Sequence, residues 1–180
     1  MKISVVTSCF NSSETIRATL DSIRAQDYDY LELIIVDGGS TDNTMHIVSE
    51  FDDIVSISIS EKDRGIYDAL NKGVNLASGE VVGFLHSDDY FASSSVVSLI
   101  AKAFAEKTVD AVYGDLDYVD RIDASKIIRQ WRSQEFNSDL FYKGWMPAHP
   151  TFYLKKKCYN EFGDYDLTFK QSADYELMLR

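Results

Sequence analysis

Over the first two thirds of the chain, short apolar runs alternate with segments of helical period. Ile3 to Thr7 reads as a strand, and Ile16, Leu20 and Ile23 recur after it at the spacing of one helix face. Asn11, with Glu14 three residues on, has the arrangement of a capping box for that helix. Leu31 to Val36 predicts a second apolar strand, ending in Asp37-Gly38-Gly39-Ser40-Thr41-Asp42. The glycine pair suits a tight turn, and Ser40 or Thr41 is placed to cap a helix carrying Met45, Val48 and Phe51. Val55, Ile57 and Ile59 alternate with serines, the pattern of a half-buried strand. Gly65 to Ala77 predicts a helix with Ile66, Leu70 and Val74 on one face, stopped by Ser78-Gly79. Val81 to Leu85 is apolar throughout, as in a strand covered on both faces, and Val96, Leu99, Ile100 and Phe104 mark the next helix. This βαβα order predicts an α/β fold with a mainly parallel sheet and helices on both faces.

After Val109 the pattern changes. Asp110 to Asp115 reads as a further strand, while Tyr118-Val119 and Lys126 to Trp131 read as antiparallel strands. Glu135 to Tyr142 predicts a short helix, Gly144 to Pro150 a loop and Thr151 to Leu154 a strand. No repeat or low-complexity linker divides the chain, so residues 1–180 are expected to form one domain.

Composition adds limits. At 180 residues and 45% hydrophobic, the chain can bury a core without staples. Its formal net charge of −11, from 29 Asp and Glu against 18 Lys and Arg, argues against nucleic acid as the main partner. Cys9 and Cys158 lack metal-ligand spacing and are expected to be reduced thiols. With no signal peptide before the first strand and no bilayer-length apolar run, the sequence predicts a cytoplasmic protein.

The chemistry gathers at strand ends. Val81 to Leu85 runs into His86-Ser87-Asp88-Asp89, where two adjacent carboxylates repel unless a cation, a proton or hydrogen bonds offset the cost. Ligands in open α/β sheets bind outside the carboxyl ends of the strands, so this pair is a candidate divalent-metal site. Thr7 to Asn11, Asp37 and Glu61 to Arg64 end the neighbouring strands and would share its rim. Neither a G-x-G-x-x-G run nor a Walker lysine pattern is present, which lowers the dinucleotide and P-loop readings.

Together, Ile3 to Asn11, Ile34 to Asp42, Gly65 to Gly73, Asp88-Asp89, Pro147 to Tyr153 and Ser172 to Leu177 resemble family 2 glycosyltransferases of the GT-A fold. Within that family the chain is most similar to bacterial enzymes that build cell-surface polysaccharides. The resemblance implies a GT-A, Rossmann-like sheet with a small antiparallel addition near the C-terminus. It implies a nucleotide-sugar-binding half at 1–114 and an acceptor-side half at 115–180. The implied reaction is inverting hexosyl transfer from a nucleotide-diphosphate sugar, UDP-linked before GDP-linked, to a glycan or lipid-linked acceptor. Peripheral association with the inner face of the plasma membrane is compatible with such an acceptor.

The resemblance also implies roles. Thr7 and Asp37 would contact the base, with Asn11, Arg64, Asp68 and His86 also on the donor side. Asp88 would bind the ribose or the metal, and Asp89 the Mg2+ or Mn2+ that bridges the phosphates. Asp174 would be the general base that deprotonates the acceptor hydroxyl.

Two departures stand out. Many relatives have Asp or Asn where this chain has His86, and the family normally continues well past the position of Asp174, whereas this chain ends at Arg180. A nucleotide-sugar-binding module without turnover is therefore the alternative to an enzyme. Structural roles compete at single residues: Asp37 can cap the following helix, Asp174 can sit at a helix N-terminus, and Asp115 and Asp117 can either line the acceptor side or simply end a strand. Lys155-Lys156-Lys157 reads as a solvated helix start.

Overall fold

The computed structural model describes residues 1–106 and 108–180. Four strands form its parallel half: β1 (Ile3–Cys9), β2 (Leu31–Asp37), β3 (Val55–Ser60) and β4 (Val81–Phe84), side by side in the order β3-β2-β1-β4. The chain winds from β1 outward to β3 and then crosses back to place β4 on the other side of β1. That reversal opens a crevice at the carboxyl ends of β1 and β4. Of the remaining strands, β5 (Ala111–Val112) and β8 (Tyr153–Lys155) extend the sheet antiparallel beyond β4, in the order β4-β8-β5. Between them in sequence, β6 (Leu116–Val119) and β7 (Ile127–Trp131) form a separate antiparallel pair.

Every residue of β1 is buried, because helices cover both faces of the sheet. Side chains alternate between the two faces with the period of two that a strand imposes. Ile3, Val5, Leu33 and Ile35 pack under α1 (Ile16–Arg24), α2 (Thr44–Ser49) and α4 (Val96–Glu106). Val6, Ile34 and Val36 pack under α3 (Ile66–Leu76) and, with α5 (Ser138–Phe141) lying between in sequence, α6 (Lys156–Phe162) and α7 (Ala173–Leu179). The result is the three-layer α/β fold, parallel sheet and small antiparallel addition expected from the sequence.

Local expectations needed correction. Asn11 is not in a capping box: it adopts a left-handed φ of 50°, and its side-chain oxygen accepts the Thr41 N–H at 2.9 Å. Helix α1 starts only at Ile16, with the N–H groups of Thr15 and Ile16 bound to the Ser12 carbonyl. Neither Ser40 nor Thr41 caps α2; Asp42 does that work, accepting the Thr44 N–H at 3.0 Å, and Phe51 lies beyond the helix end. On α3 and α4, Ile66 and Leu99 are exposed, and the buried stripes run instead through Ala69, Leu70 and Val74 and through Val97, Ala101 and Phe104. The strand expected over 110–115 shrinks to Ala111–Val112, and the helix expected over 135–142 to Ser138–Phe141. Lys155 and Lys157 are not merely solvated, since both pair with Asp110. No helix among the described residues is long and apolar enough to cross a membrane.

Candidate active site

The rim of the crevice is laced together by short polar side chains. From the end of β1, the Asn11 N–H donates to Ser40 Oγ at 2.8 Å and the Ser13 N–H to Asp42 Oδ2 at 3.0 Å. These bonds tie the loop after β1 to the loop after β2. Asp37 lies under them, fully buried, and accepts from the N–H groups of Gly39 and Ser40 and from the hydroxyls of Ser40 and Ser60. Burial pushes its carboxyl up, but these bonds outweigh that and leave it below the usual range, so it stays ionised. In this arrangement Asp37 organises its own turn. Cys9 lies against it, and burial together with the Asp37 charge pushes the thiol far up, which makes it inert.

Thr7 is fully buried at the same end of β1, and its hydroxyl has no partner among the described residues. Arg64 is committed to Asp68: its backbone N–H and guanidinium both reach that carboxylate, at 3.0 and 2.9 Å. Asp68 thereby closes the N-terminus of α3, where a negative charge is favoured by the helix dipole.

At the end of β4 the chain turns through His86 to Asp89, with the Asp89 N–H bound to the His86 carbonyl at 3.0 Å. Thr19 on α1 fixes this turn by donating to the Asp89 carbonyl at 2.7 Å. Ser8 Oγ and His86 Nδ1 stand 3.0 Å apart, so the ends of β1 and β4 meet side chain to side chain. Burial pushes the imidazole of His86 down, opposed by the charges of Asp88 and Asp174, and the ring is neutral near pH 7. His149 stacks on both Phe84 and His86, at 5.5 and 5.8 Å between ring centres, and its Nε2 lies 2.9 Å from the Tyr165 hydroxyl. Burial and the neighbouring His86 push it down, below the ordinary imidazole range.

Asp88 is exposed and Asp89 half-buried, and among the described residues no hydrogen bond or ion pair engages either carboxylate. Burial, and then the charge of Asp88, push the Asp89 carboxyl up to about 6. No group of three potential metal ligands is preformed among the described residues. Two free carboxylates nevertheless suit a hard cation that takes its other ligands from phosphate oxygens and water, as Mg2+ commonly does. The donor set fits.

Ser172 in a left-handed conformation (φ 68°) leads into α7, whose first turn carries Asp174. Asp174 Oδ1 accepts from the Tyr67 hydroxyl at 3.0 Å. Tyr67, Met146, Lys170, Asp174 and Tyr175 line an open cleft of about 600 Å³. The structure thus brings Ser8 against His86, links Asp174 to His86 through Tyr67, Tyr165 and His149, and leaves Arg64, Asp68 and Asn11 engaged in loop contacts of their own. Sequence reasoning missed Tyr67 and Tyr165 as parts of the site. Tyr67 had a signal, one place before Asp68 in Gly65-Ile66-Tyr67-Asp68; Tyr165 had none.

The model of "Glycosyl transferase family 2" matches residues 4–170. The chain belongs to glycosyltransferase family 2. A curated relative of this glycosyltransferase, a PGL/p-HBAD biosynthesis glycosyltransferase of Mycobacterium tuberculosis (strain H37Rv), is 30% identical over 181 residues, covering 98% of this chain and 68% of the relative. Among solved structures, S. aureus TarS 1–349 in complex with UDP superposes with a TM-score of 0.79 at 22% identity, over 98% of this chain and 54% of that one. The mannosyltransferase PcManGT from Pyrobaculum calidifontis, in complex with GDP-Man and Mn2+, gives a TM-score of 0.73 at 23% identity, over 98% and 50%. These likenesses establish the GT-A fold. The chain spans about half the length of these solved structures.

Proposed function

We propose that this family 2 glycosyltransferase moves a hexose, with inversion, from a nucleotide-diphosphate sugar to a hydroxyl of a glycan or lipid-linked acceptor in surface-polysaccharide synthesis. UDP is the leading nucleotide and GDP the next, in line with the UDP complex of TarS and the GDP-Man complex of PcManGT. The observation that carries the reading is a continuous line of contacts: Asp174 accepts from Tyr67, Tyr67 stacks on Tyr165, the Tyr165 hydroxyl lies 2.9 Å from His149 Nε2, and His149 stacks on His86, two residues before Asp88. A carboxylate pair suited to a metal diphosphate and a carboxylate suited to a proton acceptor are thus linked through one line of packed side chains.

In this reading residues 1–114 hold the donor. Thr7 and Asp37 lie on the base side, with Asn11, Arg64, Asp68 and His86 shaping the rim. Asp88 and Asp89 hold Mg2+ or Mn2+, which when bound offsets charge on the departing diphosphate. Residues 115–180 form the acceptor side. Asp174 takes the proton from the acceptor hydroxyl as that oxygen attacks the anomeric carbon. The new bond forms on the face opposite the diphosphate, the old carbon–oxygen bond breaks, and the configuration inverts. A lipid-linked acceptor would bring the protein to the cytoplasmic face of the plasma membrane.

Calorimetric titration of UDP and GDP with and without Mn2+ tests the donor side. Metal-dependent binding of UDP is expected, and failure of both nucleotides to bind sinks the assignment. On the catalytic side, Asp174→Asn should abolish sugar release from the donor while nucleotide affinity survives. If wild type and variant both bind the nucleotide and neither turns over with any acceptor, the chain is a binding module.

A further inference from the structure

We propose that Tyr67 is a positioning residue for Asp174, holding one carboxylate oxygen so that the other is presented to the cleft. The inference rests on the reading of Asp174 as proton acceptor and deepens it. Tyr67 donates its hydroxyl to Asp174 Oδ1 at 3.0 Å, and Oδ2 has no partner among the described residues. Both side chains line the same open cleft. One oxygen is thus spent on the protein and one is left for an acceptor.

Rigidity comes from what stands behind the tyrosine. Its ring stacks on Tyr165 at 5.6 Å, 24° from parallel. Tyr165 is fixed in turn by Asn71, whose side-chain amide donates to the Tyr165 carbonyl and accepts the Tyr165 N–H, each at 2.9 Å. The Tyr165 hydroxyl lies 2.9 Å from His149 Nε2, and His149 stacks on His86. Tyr67 and Asn71 are four residues apart on α3, so they project from one helix face a turn apart. A single helix, itself packed on β1 and β2, therefore sets both the stacking partner and the carboxylate. Burial, then the bond to Asp174, push the Tyr67 phenol up, so it is protonated and remains the donor. Helix α7 has only the residues 173–179 and opens from a left-handed Ser172, so its first turn gains an external anchor through this bond.

A positioned base is worth far more than a loose one, because a misplacement of about 1 Å costs on the order of a hundredfold in rate. Tyr67→Phe keeps the ring and its stacking and removes only the hydroxyl. In a crystal of Tyr67→Phe, the Asp174 carboxylate should leave its wild-type place or split between rotamers. With UDP-GlcNAc and Mn2+, the kcat for UDP release should fall about tenfold or more. Donor KM, UDP affinity and melting temperature should stay at wild-type values, which separates positioning from a general structural role. In an Asp174→Asn background the same change should cost nothing further, since Tyr67 acts only through that carboxylate.

An unmoved carboxylate in the Tyr67→Phe crystal, or unchanged kcat, overturns the positioning role. Full activity in Asp174→Asn instead overturns the proposed function. If wild type releases neither UDP from UDP-GlcNAc nor GDP from GDP-mannose, that too counts against the proposed function, and the crystal alone decides whether Tyr67 places Asp174.

Discussion

Gly73 of α3 lies directly against Val6 of β1: a Cβ built on the glycine would stand 2.3 Å from Val6 Cγ1. No neighbour at that distance can be accommodated without moving the helix or the strand, and both are buried there. The closeness matters because α3 begins at the crevice and carries Tyr67 and Asp68, while β1 ends in Thr7 and Ser8.

Gly73→Ala should therefore destabilise the fold by about 1–3 kcal/mol, the usual cost of overpacking a core, despite the better helix propensity of alanine. Urea unfolding of the two proteins measures it. An equal or higher midpoint for the variant would show that the helix–strand contact is softer than the geometry indicates.

At the opposite end of the sheet a buried carboxylate makes stability depend on acid. Glu32 on β2 accepts from Lys2, Ser4 and Ser78. Burial pushes its carboxyl up, but these donors outweigh that and bring it down to about 2 from 4.5. A depressed carboxylate stabilises the native state above its unfolded-state value, and that contribution is lost as pH falls through the folded value. The window is therefore from about pH 4.5 down to about pH 2, with roughly 3 kcal/mol at stake. Chemical unfolding across that range should show a flatter pH slope for Glu32→Gln than for wild type. Equal slopes would mean that Glu32 titrates alike in both states.

The carboxylate pair after β4 yields a separable prediction. Asp89→Asn should weaken the Mn2+-dependent part of UDP binding by about tenfold or more, one charged ligand being worth more than 1.4 kcal/mol. Metal-free binding should change little. Repulsion between Asp88 and Asp89 is also relieved, so melting temperature without metal should hold or rise. A loss of affinity of the same size with and without Mn2+ would count against a metal role.

Much of this architecture was legible in residue pattern because β1, β2 and β4 are covered on both faces, which leaves them rich in apolar residues on both. Their polar ends, Asp37 and Asp88-Asp89, mark the rim because carboxylates break the apolar pattern where those strands end. What stayed illegible depends on contacts far apart in sequence. Strand β8 is three residues long and enters the sheet between β4 and β5 because Gly83 leaves an open face for the ring of Tyr153, where a Cβ would stand 2.1 Å away. No local period announces that. The column of His86, His149, Tyr165 and Tyr67 draws on four separate segments that no local pattern joins. Asn11 was misread because its amide oxygen bridges to the Thr41 N–H on the neighbouring loop, a partner that outcompeted the local cap.

Thr7 offers the sharpest separation of fold from function. Its side chain is fully buried on β1, yet its hydroxyl finds no partner among the described residues. A buried hydroxyl left unpaired costs the free protein on the order of 1–3 kcal/mol. Valine has nearly the same shape and replaces the hydroxyl with a methyl group, so Thr7→Val should leave stability equal or raise it by about 1 kcal/mol. If the hydroxyl serves the base of a bound nucleotide, the same change should lower UDP affinity by roughly three- to tenfold, the worth of one neutral hydrogen bond. Paired thermal melts and calorimetry read both quantities from one variant. Lost stability with unchanged UDP affinity would reverse the argument and make Thr7 a residue of the core alone.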